Sequence, residues 1–232
     1  FGEFAIAPAS DSVTVWAGDT DNNGTVDQED VLPLGMYWDQ SGPARQETGC
    51  TWAGDRAAPW SPVAATYADA NGDGTVDQED VLCLGLNWGE TRSTSSSAVL
   101  AEKSQTDEVA GQLKLRRVEQ SGSTFWVELH AREVESLMGV AAELTFDSEV
   151  VSVESVEPGA RMGESALLQS NTDETKGILG LGISRKGTAS KAGAGGPVAR
   201  VKLRSEAKQP KIGLRGGQAS TAEGMTVSLK TS

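Results

Sequence analysis

The stretch Gly-Thr-Val-Asp-Gln-Glu-Asp-Val-Leu occurs twice in this chain, at residues 24–32 and again at residues 74–82. Around each copy, oxygen-bearing residues fall at positions 1, 3, 5, 7, 9 and 12 of a 12-residue window that has glycine at position 6. The two sets are Asp19, Asp21, Asn23, Thr25, Asp27 and Asp30, and Asp69, Asn71, Asp73, Thr75, Asp77 and Asp80, with each threonine supplying a backbone carbonyl. This is the spacing of a calcium loop, since Ca²⁺ takes about six to eight oxygen ligands and glycine permits a sharp turn between them.

One match of this kind could be a polar turn, but the two copies lie 50 residues apart and each runs into an apolar stretch. Both stretches place three residues on one helix face with the spacing i, i+3, i+4: Leu32, Gly35 and Met36, and Leu82, Gly85 and Leu86. Pro33 and the glycines predict that these helices are short. The sequence therefore predicts two bound calcium ions, each in a loop that is followed by a short helix.

Position 12 is Asp in both copies, whereas the EF-hand loop has Glu there. No helical pattern precedes the first loop, because residues 13–18 read as an extended strand. A duplicated calcium loop that ends in Asp and is followed, but not preceded, by a helix resembles the dockerin family. The resemblance implies a cohesin-like partner. In that family the contacts often lie at loop positions 10 and 11, which here are Gln28, Glu29, Gln78 and Glu79.

Charge divides the chain into two parts. Residues 1–92 hold 16 acidic and three basic residues, a net charge of −13, whereas residues 93–232 hold 17 of each sign. An acidic half argues against a nucleic-acid partner, since phosphates would be repelled. No apolar run approaches the ~20 residues of a membrane span. The chain starts at Phe1 without Met or a signal-peptide pattern, so we expect a processed chain or a fragment.

Calcium loops and a Ser/Thr-rich linker are typical of a secreted protein, at the cell surface or in the extracellular medium. Both cysteines, Cys50 and Cys83, lie in the acidic half. Two unrelated buried thiols are one interpretation. The preferred one is a disulfide, which would stabilise the fold by about 3–4 kcal/mol in the chain-entropy model.

Four regions are predicted: an extended N-terminal segment (1–15), the calcium-binding domain (16–92), a linker (93–111) and a second domain (112–232). Within the calcium domain, residues 39–68 are rich in Gly, Pro and Ala and read as a loop. Its tryptophans, Trp52 and Trp60, are predicted to cover the helix pair. Stacking of these rings on a polysaccharide is the functional alternative.

From residue 112 onward, apolar residues alternate with polar or small ones, at 125–132, 138–146, 179–183, 199–203 and 225–229. Several short alternating strands separated by turn residues predict an antiparallel β-sandwich. The run from Phe125 through Leu144-Thr145-Phe146-Asp147 to the Gly-Ile-Leu-Gly-Leu-Gly strand at 177–182 resembles a cohesin domain, which implies a jelly-roll type of sandwich. The predicted fold class is mainly β with a small α module.

No catalytic constellation is found, so the chain is predicted not to be an enzyme. The single histidine, His130, lies on the polar side of a strand and reads as a surface residue. A chain with both a dockerin-like and a cohesin-like part predicts head-to-tail self-assembly. Its partner surface on the sandwich is predicted to be the stripe Arg200, Lys202 and Arg204. Folding back onto the same chain is one alternative, and an accessory module of a larger polysaccharide-degrading protein is another.

Overall fold

The computed structural model of the protein describes residues 12–92, 109–187, 195–207 and 209–231. Most of the predicted N-terminal segment (1–15) and most of the predicted linker (93–111) lie outside the described residues. The described chain is mainly β with a small helical part at its N-terminal side, as the sequence predicts.

The N-terminal part, residues 12–92, is built around the two loops. Its elements are β1 (Val13–Trp16), a 3₁₀ turn (Gln28–Asp30) that continues into α1 (Val31–Met36), β2 (Gly54–Ala57), α2 (Ala64–Ala68) and α3 (Gln78–Leu86). A short helix after each loop is therefore confirmed. The prediction of a loop for residues 39–68 is wrong in part, because this segment contains regular secondary structure. It includes α2 and also β2, which pairs antiparallel with β1.

The described residues from 109 to 231 form nine strands. They are β3 (Val109–Ser121), β4 (Thr124–Arg132), β5 (Leu137–Phe146), β6 (Val151–Pro158), β7 (Leu167–Asp173), β8 (Ile178–Ser184), β9 (Ala199–Ser205), β10 (Ile212–Thr221) and β11 (Thr226–Thr231). Their hydrogen-bonded order is β6-β9-β4-β3-β11-β10-β5-β8-β7. All neighbours pair antiparallel except β11 and β3, which pair parallel.

The sheet folds over on itself around one hydrophobic core. Side chains from β4, such as Phe125 and Leu129, belong to the same buried cluster as Leu144 of β5 and Leu181 of β8. Because β4 and β8 lie far apart in the strand order, they share a core only when the two ends of the sheet face each other. This confirms the predicted sandwich.

The two parts contact each other in the described chain. The 3₁₀ turn and α1 lie against β5 and β8, with further contacts from α1 to β7 and β10. This face of the sandwich, formed by β10, β5, β8 and β7, is called the docking face below. The alternative in which the calcium domain folds back onto its own chain is thus the arrangement in this structure.

A disulfide joins Cys50 and Cys83. Cys83 is fully buried on α3, and Cys50 lies in the segment between the two loops. The bond closes a loop with a sequence separation of 33 residues.

We expect the unreduced protein to be lighter, by the mass of two hydrogen atoms, than the same protein after reduction. Removing the bond with the double variant Cys50→Ser/Cys83→Ala should lower the free energy of unfolding of residues 12–92 by about 3–4 kcal/mol, because the unfolded chain gains loop entropy. Intact-mass spectrometry and denaturant unfolding followed by tryptophan fluorescence measure the two effects. Two thiols that alkylate without reduction would contradict the pairing.

Candidate calcium loops and a docking face

The first loop gathers its carboxylates around backbone donors. Asp30 is buried and accepts hydrogen bonds from the backbone N–H groups of Thr20 (2.6 Å), Asp21 (3.1 Å) and Asp27 (2.8 Å). One carboxylate oxygen each from Asp19, Asp21 and Asp30 lies within 4.8 Å of the others. Such a group of three carboxylates is dense enough to bind one cation.

The second loop shares these backbone hydrogen bonds, but among the described residues the group of three close carboxylates is found in the first loop, since position 3 of the second loop is Asn71. Asp80 is buried and accepts from the N–H groups of Asn71 (3.0 Å) and Asp77 (2.7 Å). Asp69, also buried, accepts from the N–H of Gly72 (3.0 Å). The asparagine stands at position 3 here and at position 5 in the first loop, so each loop offers the same number of carboxylates.

The loops and the helices share residues. Asp27 caps the 3₁₀ turn before α1 by accepting from the N–H of Glu29, while Asp30 accepts from the N–H of Asp27, which completes a capping box. Asp77 and Asp80 form the same box at the start of α3. The carboxylates at positions 9 and 12 therefore start each helix and also belong to the predicted ion site.

The remaining predicted ligands lie in the same loops. Asn23 accepts from the N–H of Thr25 (2.8 Å), and Asp73 accepts from the N–H of Thr75 (2.8 Å). Gly24 and Gly74 have positive φ angles of 100° and 95°, which a residue with a Cβ rarely adopts. The ligand assignments stay predictions, and the geometry brings each set into one loop.

Burial raises the pKa of the loop carboxylates above that of an ordinary Asp. The pKa of Asp80 is raised to about 7 and that of Asp69 to about 6, with burial the main cause in both. Burial also raises the pKa of Asp30, and the neighbouring charge of Asp21 adds to it. Carboxylates that are buried together are stable in ionised form only beside a positive charge. The donor set therefore fits a divalent cation with a preference for oxygen, such as calcium.

The part of the docking face that meets α1 is formed by small residues. Along β5 and β8, alternate side chains point into the sandwich core, and the others point toward α1. The outward residues nearest to the 3₁₀ turn and α1 are Gly139, Ala141, Gly180, Gly182 and Ser184, all of them buried, whereas Glu143 farther along β5 is half-buried. A Cβ on Gly182 would overlap the carbonyl oxygen of Gln28, and one on Gly139 would come within 2.7 Å of Leu32. Glycines here allow the helix backbone to approach the sheet.

Polar and aromatic contacts border this face. The N–H of Gly187 donates to the carbonyl of Gly35 on α1 (2.9 Å), and the ammonium group of Lys186 lies 4.0 Å from the ring centre of Trp38. Leu167 of β7 belongs to the hydrophobic cluster of the N-terminal part, which includes Leu34. The contact thus joins backbone, aromatic and apolar groups from both parts.

The two identical stretches differ in exposure. Leu32 of α1 is 2% exposed, whereas its equivalent on α3, Leu82, is 58% exposed. Leu86, the equivalent of Met36, is 65% exposed. Among the described residues, the sandwich covers Leu32 of the first copy, whereas Leu82 and Leu86 of the second copy face solvent.

Comparison with known protein families agrees with the loop geometry. Residues 17–85 match the dockerin type I domain. Dockerin domains are non-catalytic interaction modules that bind calcium, so residues 17–85 form a dockerin-like module and the predicted resemblance is confirmed. A comparison with curated proteins gave no match.

Similar solved structures include cohesins, the family that the sandwich was predicted to resemble. A type II cohesin domain from the cellulosome of Acetivibrio cellulolyticus has 13% identity and a TM-score of 0.46, covering 53% of this chain and 91% of that one. A type I cohesin–dockerin complex from Clostridium thermocellum has 14% identity and a TM-score of 0.44, covering 56% and 94%. A cohesin module from a Clostridium perfringens family 33 glycoside hydrolase has 16% identity and a TM-score of 0.43, covering 54% and 93%.

The predicted contact residues of the dockerin-like module separate into two groups. Gln28 and Glu29 border a cavity of about 200 Å³ against β5 and β10, where Glu143 and Arg215 form an ion pair (3.2 Å). Gln78 and Glu79 are exposed at the start of α3.

The small residues of the docking face were not predicted as a site. The sequence feature that could have identified these residues is the occurrence of Gly, Ala and Ser at alternate positions of β5 and β8.

The predicted basic stripe lies on β9, in the other layer of the sandwich. Lys202 and Arg204 form ion pairs with Glu154, and Arg200 lies 3.8 Å from Glu128 and 4.5 Å from the ring centre of Trp126. These partners belong to the same sheet, and α1 lies mainly against β5 and β8. A partner role for the stripe stays a prediction.

The two tryptophans of the segment between the loops pack within the module. Trp52 lies 4.9 Å from Trp16, ring centre to ring centre, and Trp60 is buried with its indole N–H donating to the carbonyl of Pro43 (3.2 Å). Both belong to the hydrophobic cluster of α1 and α3, as predicted for rings that cover the helix pair.

Among the described residues, no helix has the length and apolar character needed to cross a membrane.

Calcium should offset a loss of the module's stability toward neutral pH. In the folded module without calcium, Asp69 and Asp80 have pKa values of about 6 and 7, above the ~3.9 of an unfolded Asp. The folded state then binds more protons, so its stability is lost as pH rises from about 4 to 7. We expect the melting temperature in chelator to fall between pH 5.5 and pH 7.5. Saturating calcium should restore the melting temperature, because calcium at a thousandfold excess over its Kd stabilises the folded module by about 4 kcal/mol.

Tryptophan fluorescence measures this transition, since five of the six tryptophans lie in residues 1–92. Asp80→Asn should weaken both the pH dependence and the calcium effect, and Glu47→Gln, an exposed acid outside the loops, should change neither. A melting temperature in chelator that rises toward neutral pH would contradict the assignment.

Proposed function

We propose that this chain is a secreted, non-enzymatic interaction protein whose dockerin-like module binds a cohesin-like β-sandwich in a calcium-dependent contact. The observation that carries the proposal is the packing of α1 on the docking face of the same chain. The contact uses the first copy of the repeated stretch, which is also the copy that forms the first calcium loop. The predicted ion-binding loop and the helix that contacts the docking face are therefore adjacent in the sequence.

Calcium supports docking through charge as well as through folding. Asp27, a predicted ligand, has its pKa raised by burial and by the negative charge of Glu143 on the sandwich. A bound calcium ion offsets the negative charge of the first loop, so the loop can lie beside Glu143 at a lower electrostatic cost. Arg215, paired with Glu143, acts in the same direction.

Head-to-tail assembly follows by exchange of this contact between copies. A docking face filled by α1 of a neighbour has the same contacts as one filled by its own α1, and the exchange need not close into a ring. Docking within one chain has an effective concentration on the order of mM, so isolated molecules are monomers and chains form at high local concentration. The open face of α3, with Leu82 and Leu86, is a second surface for a cohesin-like domain of another protein or of another copy.

The docked state is tested with Gly182→Val. The new side chain meets the backbone of Gln28, so the two parts should separate while each stays folded. Overpacking costs about 1–3 kcal/mol, which is roughly a 5- to 150-fold change in the docking equilibrium. Small-angle scattering in calcium should show a larger radius of gyration. Gly216→Ala on β10, where a Cβ meets no atom within 4 Å, is the matched control. An unchanged radius in Gly182→Val would contradict docking through this face.

Exchange between copies is tested by mixing two complementary variants. Gly182→Val has a blocked docking face and a free module. Gly35→Val/Gly85→Val has a free docking face and a blocked module, since a Cβ on Gly35 would overlap Ser184 and Gly85 is its equivalent on α3. We expect each variant to be monomeric alone and the mixture to form a 1:1 complex in calcium, which chelator dissolves. Light scattering after size exclusion measures this, and a mixture that stays monomeric would sink the assembly proposal.

A further inference from the structure

Each calcium loop is held by the segment that follows the other repeat's helix. Loop 1 pairs with residues 89–92: the N–H of Gly89 donates to Val26 (2.8 Å), that of Val26 to Glu90 (3.0 Å), and that of Arg92 to Gly24 (2.9 Å). Loop 2 pairs with residues 39–42 through the same three bonds, Asp39 to Val76, Val76 to Gln40 and Gly42 to Gly74. Residues 89–92, called the terminal clasp below, lie beyond the family match, which ends at residue 85.

The side chain at the end of the terminal clasp contacts a predicted calcium ligand. Arg92 forms an ion pair with the Oδ2 atom of Asp19 (2.8 Å), and the same Nη2 atom donates to the carbonyl of Asn22 (2.9 Å). The side chain of Asp19 has no exposure to solvent, so Arg92 and the N–H of Gly24 provide hydrogen bonds that water would otherwise supply. The ion pair engages Oδ2, and the N–H of Gly24 lies 3.3 Å from Oδ1 and 3.2 Å from Oδ2.

The second loop lacks this arrangement. The residue equivalent to Arg92 is Gly42, and the space of its side chain is filled by the ring of Trp60. A different cation, Arg45, approaches the second loop and donates to the backbone carbonyls of Asp69 (3.0 Å) and Ala70 (2.7 Å). The charge of Arg45 partly offsets the rise in the pKa of Asp69. The contrast is therefore one of contact: Arg92 pairs directly with the carboxylate at position 1 of its loop, whereas Arg45 donates hydrogen bonds to backbone carbonyls.

We propose that Arg92 is a positioning residue for the first calcium site and couples that site to the start of the linker. Arg92 fixes the Asp19 carboxylate for the ion, so loop 1 binds calcium tightly only while the terminal clasp is formed. In return, calcium in loop 1 holds residues 89–92 in place and sets the point at which the chain leaves the module. Residues that orient a ligand typically change metal affinity by about 10- to 100-fold. This inference rests on calcium binding, and it holds whether or not the module docks on the sandwich.

The test follows the amide signals of Gly24 and Gly74, one in each loop, in a calcium titration of the isotope-labelled full chain by nuclear magnetic resonance. We expect Arg92→Ala to weaken calcium binding at Gly24 by about 10- to 100-fold and to leave Gly74 within about twofold. Arg92→Lys, which keeps the charge and one donor position, should be intermediate. Arg56→Ala, an exposed arginine on β2, is the control and should change neither signal.

A second measurement needs no variant. In the wild-type chain, protection of the Arg92 and Gly89 amides against hydrogen exchange should appear at the calcium concentration at which Gly24 titrates. Calcium affinity at Gly24 that is unchanged or increased in Arg92→Ala would overturn the inference, as would an equal loss at both loops. Protection of Arg92 that is the same in calcium and in chelator would overturn the coupling to the linker.

Discussion

The burial of negative charge in two short loops is the constraint on which the rest of this structure depends. Asp30 and Asp80 are withdrawn from water, and each accepts backbone hydrogen bonds from the loop that it closes. The same two residues complete the capping boxes that start α1 and α3. Since α1 has only six residues and contains proline and glycine, it has little intrinsic stability. A charge-balanced loop is therefore what holds the helix that meets the docking face.

The repeated stretch shows how one sequence acquires two environments. Leu32 is covered by the sheet and Leu82 is not, although the nine residues around them are identical. Burying a leucine side chain is worth about 1.5–3 kcal/mol. The difference in exposure between Leu32 and Leu82 comes from residues outside the repeat, namely the sandwich strands that pack against α1. The small outward residues of β5 and β8 can accept a helix backbone, and the face that they form receives the helix of the first copy in this structure.

The predictable parts of the fold were those with a strong local pattern. The strands β4, β5, β8, β9 and β11 alternate apolar with polar or small residues, and all were predicted. The strand β10 contains three glycines and shows no clear alternation, so its place between β5 and β11 comes from pairing with its neighbours. Similarly, β2 and α2 lie in a segment rich in Gly, Pro and Ala, where local propensity predicts a loop and packing against the module decides otherwise.

The sequence by itself determined the two repeated acidic loops, which are predicted to bind calcium, the short helices after them and the sandwich class, because residue spacing and side-chain alternation are local properties. Tertiary structure alone decided which of the two helix faces is covered and that β5 and β8 form the surface that covers it. It also decided that Arg92 contacts Asp19, which lies 73 positions earlier in the chain. These depend on segments distant in the chain coming together. Neither spacing nor periodicity specifies such contacts, because each is set by the combined packing and charge of residues that are not neighbours in sequence.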